Sequence, residues 1–172
     1  IVYTPLNLGT QDKQLANEKE LDENHLHAKY FGITTHYCLE MMDEFTIDCL
    51  EYTLKLAISR YSNYLNEVDF IDIKNRISML IKNEDFISII NDSEFITEQS
   101  LIYKEEIKII DLLLFKNDTY YIIDYKTTKD RLPEHIAQVS FYKKAIKDIF
   151  STNEVKAYLV YLHSNESFIQ EI

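Results

Sequence analysis

Glycine, proline, cysteine and tryptophan are scarce in this sequence. Its 172 residues include two glycines, two prolines, two cysteines and no tryptophan. Such a composition argues against a loop-rich chain and favours long helices and strands joined by few tight turns. Cys38 and Cys49 are eleven residues apart. That spacing matches neither a zinc site nor an iron–sulfur site, so we interpret both cysteines as free thiols in a reducing compartment.

Long apolar runs and net positive charge are also missing. No run approaches the roughly 18 apolar residues of a membrane-spanning helix, so we expect a soluble, cytoplasmic protein with no membrane partner. The net charge of −11 argues against a protein that coats nucleic acid unaided. Nine of the 18 basic residues nevertheless lie between residues 101 and 150. Some of them form a local basic stripe, which is either a solvated helix face or a contact for DNA: Lys129, Arg131, Lys143, Lys144 and Lys147.

The first half of the sequence has helical periodicity. Residues 1–24 are polar and mixed, and we interpret them as an irregular segment or linker that leads into a single domain over 25–172. The helical part of that domain is 25–92. Apolar residues recur at helical spacing over 26–64, as one helix or as two separated near residues 45–48, and again over 71–90.

The second half, residues 93–172, has the pattern of a sheet with one helix. A helix is predicted from Pro133 to Phe150, because proline favours the first turn and an amphipathic segment follows. Apolar runs rich in isoleucine and aromatic residues predict five strands: 94–103, 107–115, 120–125, 155–162 and 167–172. The fold class is therefore α/β, with a mixed β-sheet, flanking helices and a helical N-terminal half.

Two acidic residues lie inside predicted buried strands. Asp111 and Asp124 are each flanked by aliphatic residues, and a hairpin between their strands would bring the carboxylates together. Adjacent carboxylates repel each other unless they share a cation. Alternation along a strand places Lys126 on the same side as Asp124. The pattern predicts either a Mg²⁺ site for phosphodiester hydrolysis, with Lys126 assisting the attack, or a buried salt bridge without metal.

Two weaker signals accompany this pair. Gly32 and His36 lie four residues apart in a helical segment, where a histidine is usually an ordinary core residue. Gln138 and Tyr142 share one helix face, and together they suit either a phosphate or base contact or an ordinary amphipathic helix. Neither signal is specific by itself.

In order, the chain contains Gly-x-x-x-His, a strand glutamate, Ile-Asp, Asp-x-Lys-Thr and Gln-x-x-x-Tyr. This series resembles the nuclease domain of the RecB and AddA recombination proteins, within the PD-(D/E)xK nuclease superfamily, over residues 31–162. The resemblance implies a restriction-endonuclease-like fold that holds Mg²⁺ or Mn²⁺. The implied metal ligands are His36, Asp111, Asp124 and the main-chain carbonyl of Tyr125.

The resemblance also assigns the other matched residues. Lys126 would be the catalytic lysine, acting with Asp111 and Asp124. The remaining matches would contact DNA or support the site: Glu98, Thr127, Gln138 and Tyr142. One departure is Lys108, which lies just before the Ile-Asp motif where the family often has glycine. The two cysteines do not match the four-cysteine pattern of the AddB branch, so no iron–sulfur cluster is expected.

The implied function is that of a Mg²⁺-dependent exodeoxyribonuclease that degrades single strands unwound by a helicase during double-strand-break repair and recombination. Its partners would be DNA, the helicase region of the same chain and a second helicase–nuclease subunit. Because the chain starts at Ile1, we expect a C-terminal fragment of a larger helicase subunit.

Two alternatives remain open at this stage. One is a catalytically silent nuclease fold that binds DNA or a partner subunit. The intact residues His36, Asp111, Asp124 and Lys126 count against it. The other is a stand-alone nuclease of the restriction or CRISPR-associated type, against which the missing cysteines and the start at Ile1 count.

Overall fold

Four helices form the N-terminal half of the protein, for which a computed structural model describes residues 23–172. They are α1 (Glu23–Glu40), α2 (Ile47–Tyr61), α3 (Glu67–Ile81) and α4 (Glu84–Ile90). The predicted linker therefore lies outside the described residues, except for its last two positions, which are already helical. None of the described helices is both long enough and apolar enough to span a membrane.

Side-chain caps explain where these helices begin. Thr46, Asn66 and Asn83 each accept a hydrogen bond from a backbone N–H of the first turn, at the starts of α2, α3 and α4. Asn66 also forms a capping box with Asp69. The helical region predicted over 71–90 consists of two helices, because Asn83 starts a new helix immediately after α3. Residues 26–64 form two helices, one of the two arrangements that the sequence allowed.

Five strands and one further helix complete the fold. The strands are β1 (Glu94–Tyr103), β2 (Glu106–Lys116), β3 (Thr119–Lys126), β4 (Val155–Leu162) and β5 (Ser167–Glu171), and α5 spans Pro133–Phe150. They form one sheet in the order β1-β2-β3-β4-β5. All neighbouring strands are antiparallel except β3 and β4, which are parallel and joined through α5. This confirms the predicted α/β class with a mixed sheet.

Tight turns join the antiparallel strands without glycine. Lys104 and Glu105 connect β1 to β2, and Asn117 and Asp118 connect β2 to β3, all four with φ between 50° and 66°. Two consecutive residues of positive φ are typical of the type I′ turns that suit hairpins. The registers of both hairpins follow from these short turns.

The sheet buries a separate apolar core on each face. Helices α1 to α4 cover one face and α5 covers the other. Leu112 belongs to the core under the four helices, whereas Leu113 and Ile110 belong to the core under α5. Strict alternation would place Ile110 with Leu112. The alternation of faces along β2 is therefore broken at Asp111. The residue opposite Asp111 is Glu98, which has a left-handed φ of 49°.

Candidate metal and catalytic site

The candidate site lies where β2 and β3 separate. Their ladder ends at the pair Leu112 and Ile123. One residue further, the Asp111 carboxylate accepts a hydrogen bond from the Tyr125 N–H, with Oδ2 and N 2.7 Å apart. A side-chain oxygen thus replaces the backbone acceptor that the diverging strand no longer supplies. This contact fixes Asp111 in the gap between the two strands.

Three potential metal ligands converge on this gap. His36 from α1, Glu98 from β1 and Asp111 from β2 each offer a nitrogen or oxygen atom, and these three atoms lie within 4.8 Å of one another. The His36 Nδ1 atom is 3.6 Å from Asp111 Oδ1, and 32% of the His36 side chain is exposed. The group is therefore reachable from solvent, as an exchangeable metal requires. Among the described residues it is the group that meets this ligand spacing.

Gly32 accounts for the position of His36. It lies one helical turn before His36, and a Cβ atom built on it would be 3.3 Å from Thr127 Oγ1. That separation is shorter than an ordinary van der Waals contact, so a side chain at this position requires the Thr127 hydroxyl or the helix to shift by a few tenths of an ångström. The Gly-x-x-x-His motif thus combines a close approach of helix to strand with a ligand one turn later.

A second polar group extends from β3 to α5. Lys126 Nζ is 2.7 Å from Asp124 Oδ2 and donates a hydrogen bond of 2.9 Å to Gln138 Oε1. Gln138 Nε2 in turn donates to the Tyr142 hydroxyl at 2.8 Å. Asp124 is almost fully buried and Tyr142 is buried. The chain of contacts holds the Lys126 ammonium in one place, near enough to His36 and Asp111 for its charge to act on both.

Electrostatics ties His36 to Asp111. Burial alone would lower the pKa of His36, but the charge and hydrogen bonding of Asp111, with a smaller contribution from Asp124, raise that pKa to about 9. Burial would raise the pKa of Asp111, yet the His36 charge and the Tyr125 N–H hold it below its ordinary value. At neutral pH the metal-free site therefore contains an ion pair of protonated His36 with ionised Asp111.

The other two carboxyl groups are shifted in the opposite direction. Burial raises the pKa of Asp124 to about 6, with repulsion from Asp111 adding to it and the Lys126 charge opposing it. Burial also raises the pKa of Glu98 to about 7, and repulsion from Asp111 and Glu40 contributes. Both shifts record the same excess of negative charge in a partly dehydrated place. A divalent cation would relieve that excess.

The donor set fits a divalent cation. One imidazole and two carboxylates match the ligands of Mn²⁺, and carboxylates with water match those of Mg²⁺. The Asp124 Oδ2 atom is buried and forms an ion pair with the Lys126 ammonium, but it accepts no hydrogen bond of good geometry. His36, Glu98 and Asp111 would hold the ion, with Asp124 adjacent.

The structure places the predicted residues in two subsets. Glu98, expected as a supporting residue, lies in the ligand group with His36 and Asp111. Asp124, expected as a ligand, lies outside that group and contacts Lys126 instead. Thr127 faces Gly32, at the end of β3. No contact of the Tyr125 main-chain carbonyl bears on its expected role as a ligand, so that role stays a prediction.

Arg76 was not singled out from the sequence. From α3 it donates to the Leu162 carbonyl at 2.7 Å, to the Thr127 carbonyl at 3.4 Å and to Ser164 Oγ at 3.1 Å. It thereby ties the helical half to the ends of β3 and β4. Its pairing with Asp72 four residues earlier is an ordinary helix pattern, so the sequence contains no signal for these carbonyl contacts.

The basic stripe does not act as a unit. The Lys143 ammonium donates to the Ile172 carbonyl at 2.6 Å, away from the carboxylates. Arg131 lies instead over the Phe168 ring, 3.6 Å from its centroid. Arg131 and Lys143 thus have different partners in different places.

Comparisons with known proteins do not identify a family. No family model matches the chain, and no curated protein matches it. Among solved structures, it is similar to SSO0001, with 18% identity and a TM-score of 0.36 over 94% of this chain and 72% of that one. It is also similar to VC1899 from Vibrio cholerae, with 14% identity and a TM-score of 0.33 over 86% and 50%. Similarity this low says nothing of what the chain does.

Proposed function

We propose that this chain is a metal-dependent deoxyribonuclease domain that hydrolyses phosphodiester bonds of single-stranded DNA. The observation that supports it most is the convergence of His36, Glu98 and Asp111, with the Lys126 charge acting on two of them. Metal ligands next to a fixed cation suit a reaction in which negative charge builds up on a phosphate. The ordered motifs of the sequence support the same reaction.

The residues of the chain divide the work between binding and charge stabilisation. His36, Glu98 and Asp111 would hold the divalent cation. When bound, such an ion neutralises charge at the scissile phosphate and favours the ionisation of water. The Lys126 ammonium, fixed by Asp124 and Gln138, donates a hydrogen bond to a phosphate oxygen or orients the attacking water.

Delivery of the substrate belongs to the same proposal. The net charge of −11 gives the domain little general attraction for DNA, so single strands would be fed to it by a helicase. That helicase would be another region of the same polypeptide, acting with a second helicase–nuclease subunit. The reaction would take place in the cytoplasm, during double-strand-break repair.

A silent scaffold is the competing function, and one observation favours it. The Lys126–Asp124 ion pair satisfies both charges without any metal, as expected of a purely structural pair. Such a scaffold would bind DNA or a partner subunit without cutting. The two proposals differ in metal binding as well as in activity.

The test compares site variants with matched controls. Single-stranded DNA degradation is measured with Mg²⁺ and with Mn²⁺, and Mn²⁺ binding is measured by electron paramagnetic resonance. We expect Asp111→Asn to abolish Mn²⁺ binding and Lys126→Met to keep it, while each loses about 10²-fold or more in rate. The exposed controls Glu154→Gln and Lys156→Met should keep both properties. A folded wild-type chain that binds no Mn²⁺ and cuts no DNA would establish the scaffold instead.

A further inference from the structure

A row of side chains leads from the candidate site to the far edge of the sheet. Lys126 is the register partner of Tyr161 on β4, and Tyr161 is the partner of Phe168 on β5. Directly opposed residues point to the same face of a sheet. That face is the one under α5, since Lys126 contacts Gln138 and the two aromatic rings pack in the α5 core. The row spans two strand spacings, about 10 Å.

Arg131 lies over the outer end of this row. Its guanidinium carbon is 3.6 Å from the centroid of the Phe168 ring and 5.8 Å from that of Tyr161, while the residue itself is exposed. The stacking fixes the plane of the guanidinium. Within residues 23–172 Arg131 has no carboxylate partner and makes no hydrogen bond. Its N–H groups are therefore free to bind an anion.

The other two arginines of the chain differ in this respect. Arg76 is paired with Asp72 and donates to main-chain carbonyls. Arg60 lies over the Tyr37 and Tyr61 rings, close enough to Glu40 for its charge to lower the pKa of that carboxyl against burial. Among the described residues Arg131 is thus a cation held on a ring and not paired with a carboxylate, in a chain with a net charge of −11.

We infer that Arg131, held on Phe168, binds a phosphate of the single-stranded DNA on one side of the scissile bond. The inference rests on the proposed nuclease function and adds the direction in which the strand leaves the site, along the row from Lys126 to Phe168. A guanidinium matches the geometry of phosphate oxygens with two parallel N–H donors.

His135 strengthens the assignment of this surface. It lies in the first turn of α5, and its Nδ1 atom is 3.2 Å from the Tyr161 hydroxyl. The contact fixes the central ring of the row and places a partly exposed imidazole between Lys126 and Arg131. Lys126, His135 and Arg131 thus place nitrogen groups along the row, and Glu134 lies near enough to His135 for its charge to act on the imidazole. A phosphate backbone fits the two cations at the ends of the row.

The experiment measures steady-state degradation of an oligothymidylate of about twelve nucleotides, within the size range of single-strand binding sites. Arg131→Ala is compared with Lys156→Ala, which removes a cation from the Tyr121 ring near the opposite end of the same strands. We expect Arg131→Ala to raise KM about tenfold and to change kcat less than twofold. It should also lower the salt slope of log(kcat/KM) by about 0.7, the value for one phosphate contact on a single strand.

Two conservative variants separate charge from position. Arg131→Lys should keep the salt slope and raise KM by an intermediate factor, and Phe168→Leu should raise KM because the guanidinium loses its support. If Arg131→Ala matches Lys156→Ala in KM and salt slope while the wild type cuts DNA, the inference is wrong and the nuclease proposal stands. A wild type without nuclease activity would instead overturn both.

Discussion

Replacing Glu98 with glutamine tests the candidate metal site through folding rather than catalysis. Glu98 lies opposite Asp111 with a positive φ, and both belong to the group of three ligand atoms within 4.8 Å. Burial, with repulsion from Asp111 and Glu40, raises the pKa of Glu98 from 4.5 to about 7. The folded protein therefore favours the neutral carboxyl, and glutamine copies that form without titrating.

The expected size follows from the shift. A change of 7 − 4.5, about 2.5 pKa units, corresponds to at most about 3.4 kcal/mol of free energy of unfolding. Since the side chain is only partly buried, solvent screening reduces this to about 1–2 kcal/mol. The stabilisation by the neutral form is complete below pH 4.5 and is lost as the pH rises through 7. Metal-free wild type should thus weaken from pH 5 to pH 8 relative to Glu98→Gln.

Urea unfolding in EDTA at pH 5 and pH 8 measures the effect. At pH 8 Glu98→Gln should be more stable than wild type by about 1–2 kcal/mol, or roughly 2–8 °C in Tm. Saturating Mn²⁺ should reverse the order, because a ligand at 100 times its Kd adds about 2.7 kcal/mol to the protein that binds it. The exposed Glu154→Gln serves as the control. Parallel pH profiles for wild type and Glu98→Gln in EDTA would refute the reasoning.

Three further outcomes are expected. Mn²⁺ binding at pH 7 should release protons, because His36 has a pKa of about 9 and binds a metal only when it is neutral. Calorimetry in buffers of different ionisation enthalpy measures that release, and zero release would contradict the role of His36 as a metal ligand. Arg76→Ala should lower the free energy of unfolding in urea by about 2–3 kcal/mol, whereas Arg60→Ala should lower it by less than about 1 kcal/mol. Gly32→Ala should stabilise the protein by up to about 1 kcal/mol in a Thr127→Ala background and by less in the wild-type background. An equal effect in both backgrounds would show that residue 32 does not press against Thr127.

The sheet was largely predictable because its signals are local. Aliphatic runs between polar turns give strands whose ends agree with the structure to within one residue, and Val155–Leu162 agrees at both ends. Alternation correctly placed Lys126 beside Asp124, and helical spacing correctly placed Gln138 beside Tyr142. Each of these relations depends on two to four residues of one segment. Sequence reasoning is strongest at that range.

The ligand group was less predictable because it depends on departures from regular structure. The apolar pattern gives no sign that the alternation of faces along β2 is broken at Asp111 or that Glu98 adopts a left-handed φ. With those departures, Glu98 lies in the ligand group with His36, whereas Asp124 forms an ion pair with Lys126. Arg131 was visible only as one of several basic residues, since its ring partner Phe168 is 37 residues away in the chain.

The irregular geometry and the charge of the site have a common physical explanation. Glu98, Asp111 and Asp124 fall on one row when the β1–β2 and β2–β3 registers are extended to them. Like charges opposed across strands are destabilising, and at this row the β1–β2 pairing is interrupted while the β2–β3 ladder has already ended. Backbone strain and raised carboxyl pKa values both count against the metal-free fold. A cation bound at this row lowers the repulsion directly, so the negative charge that weakens the metal-free fold is what favours metal binding.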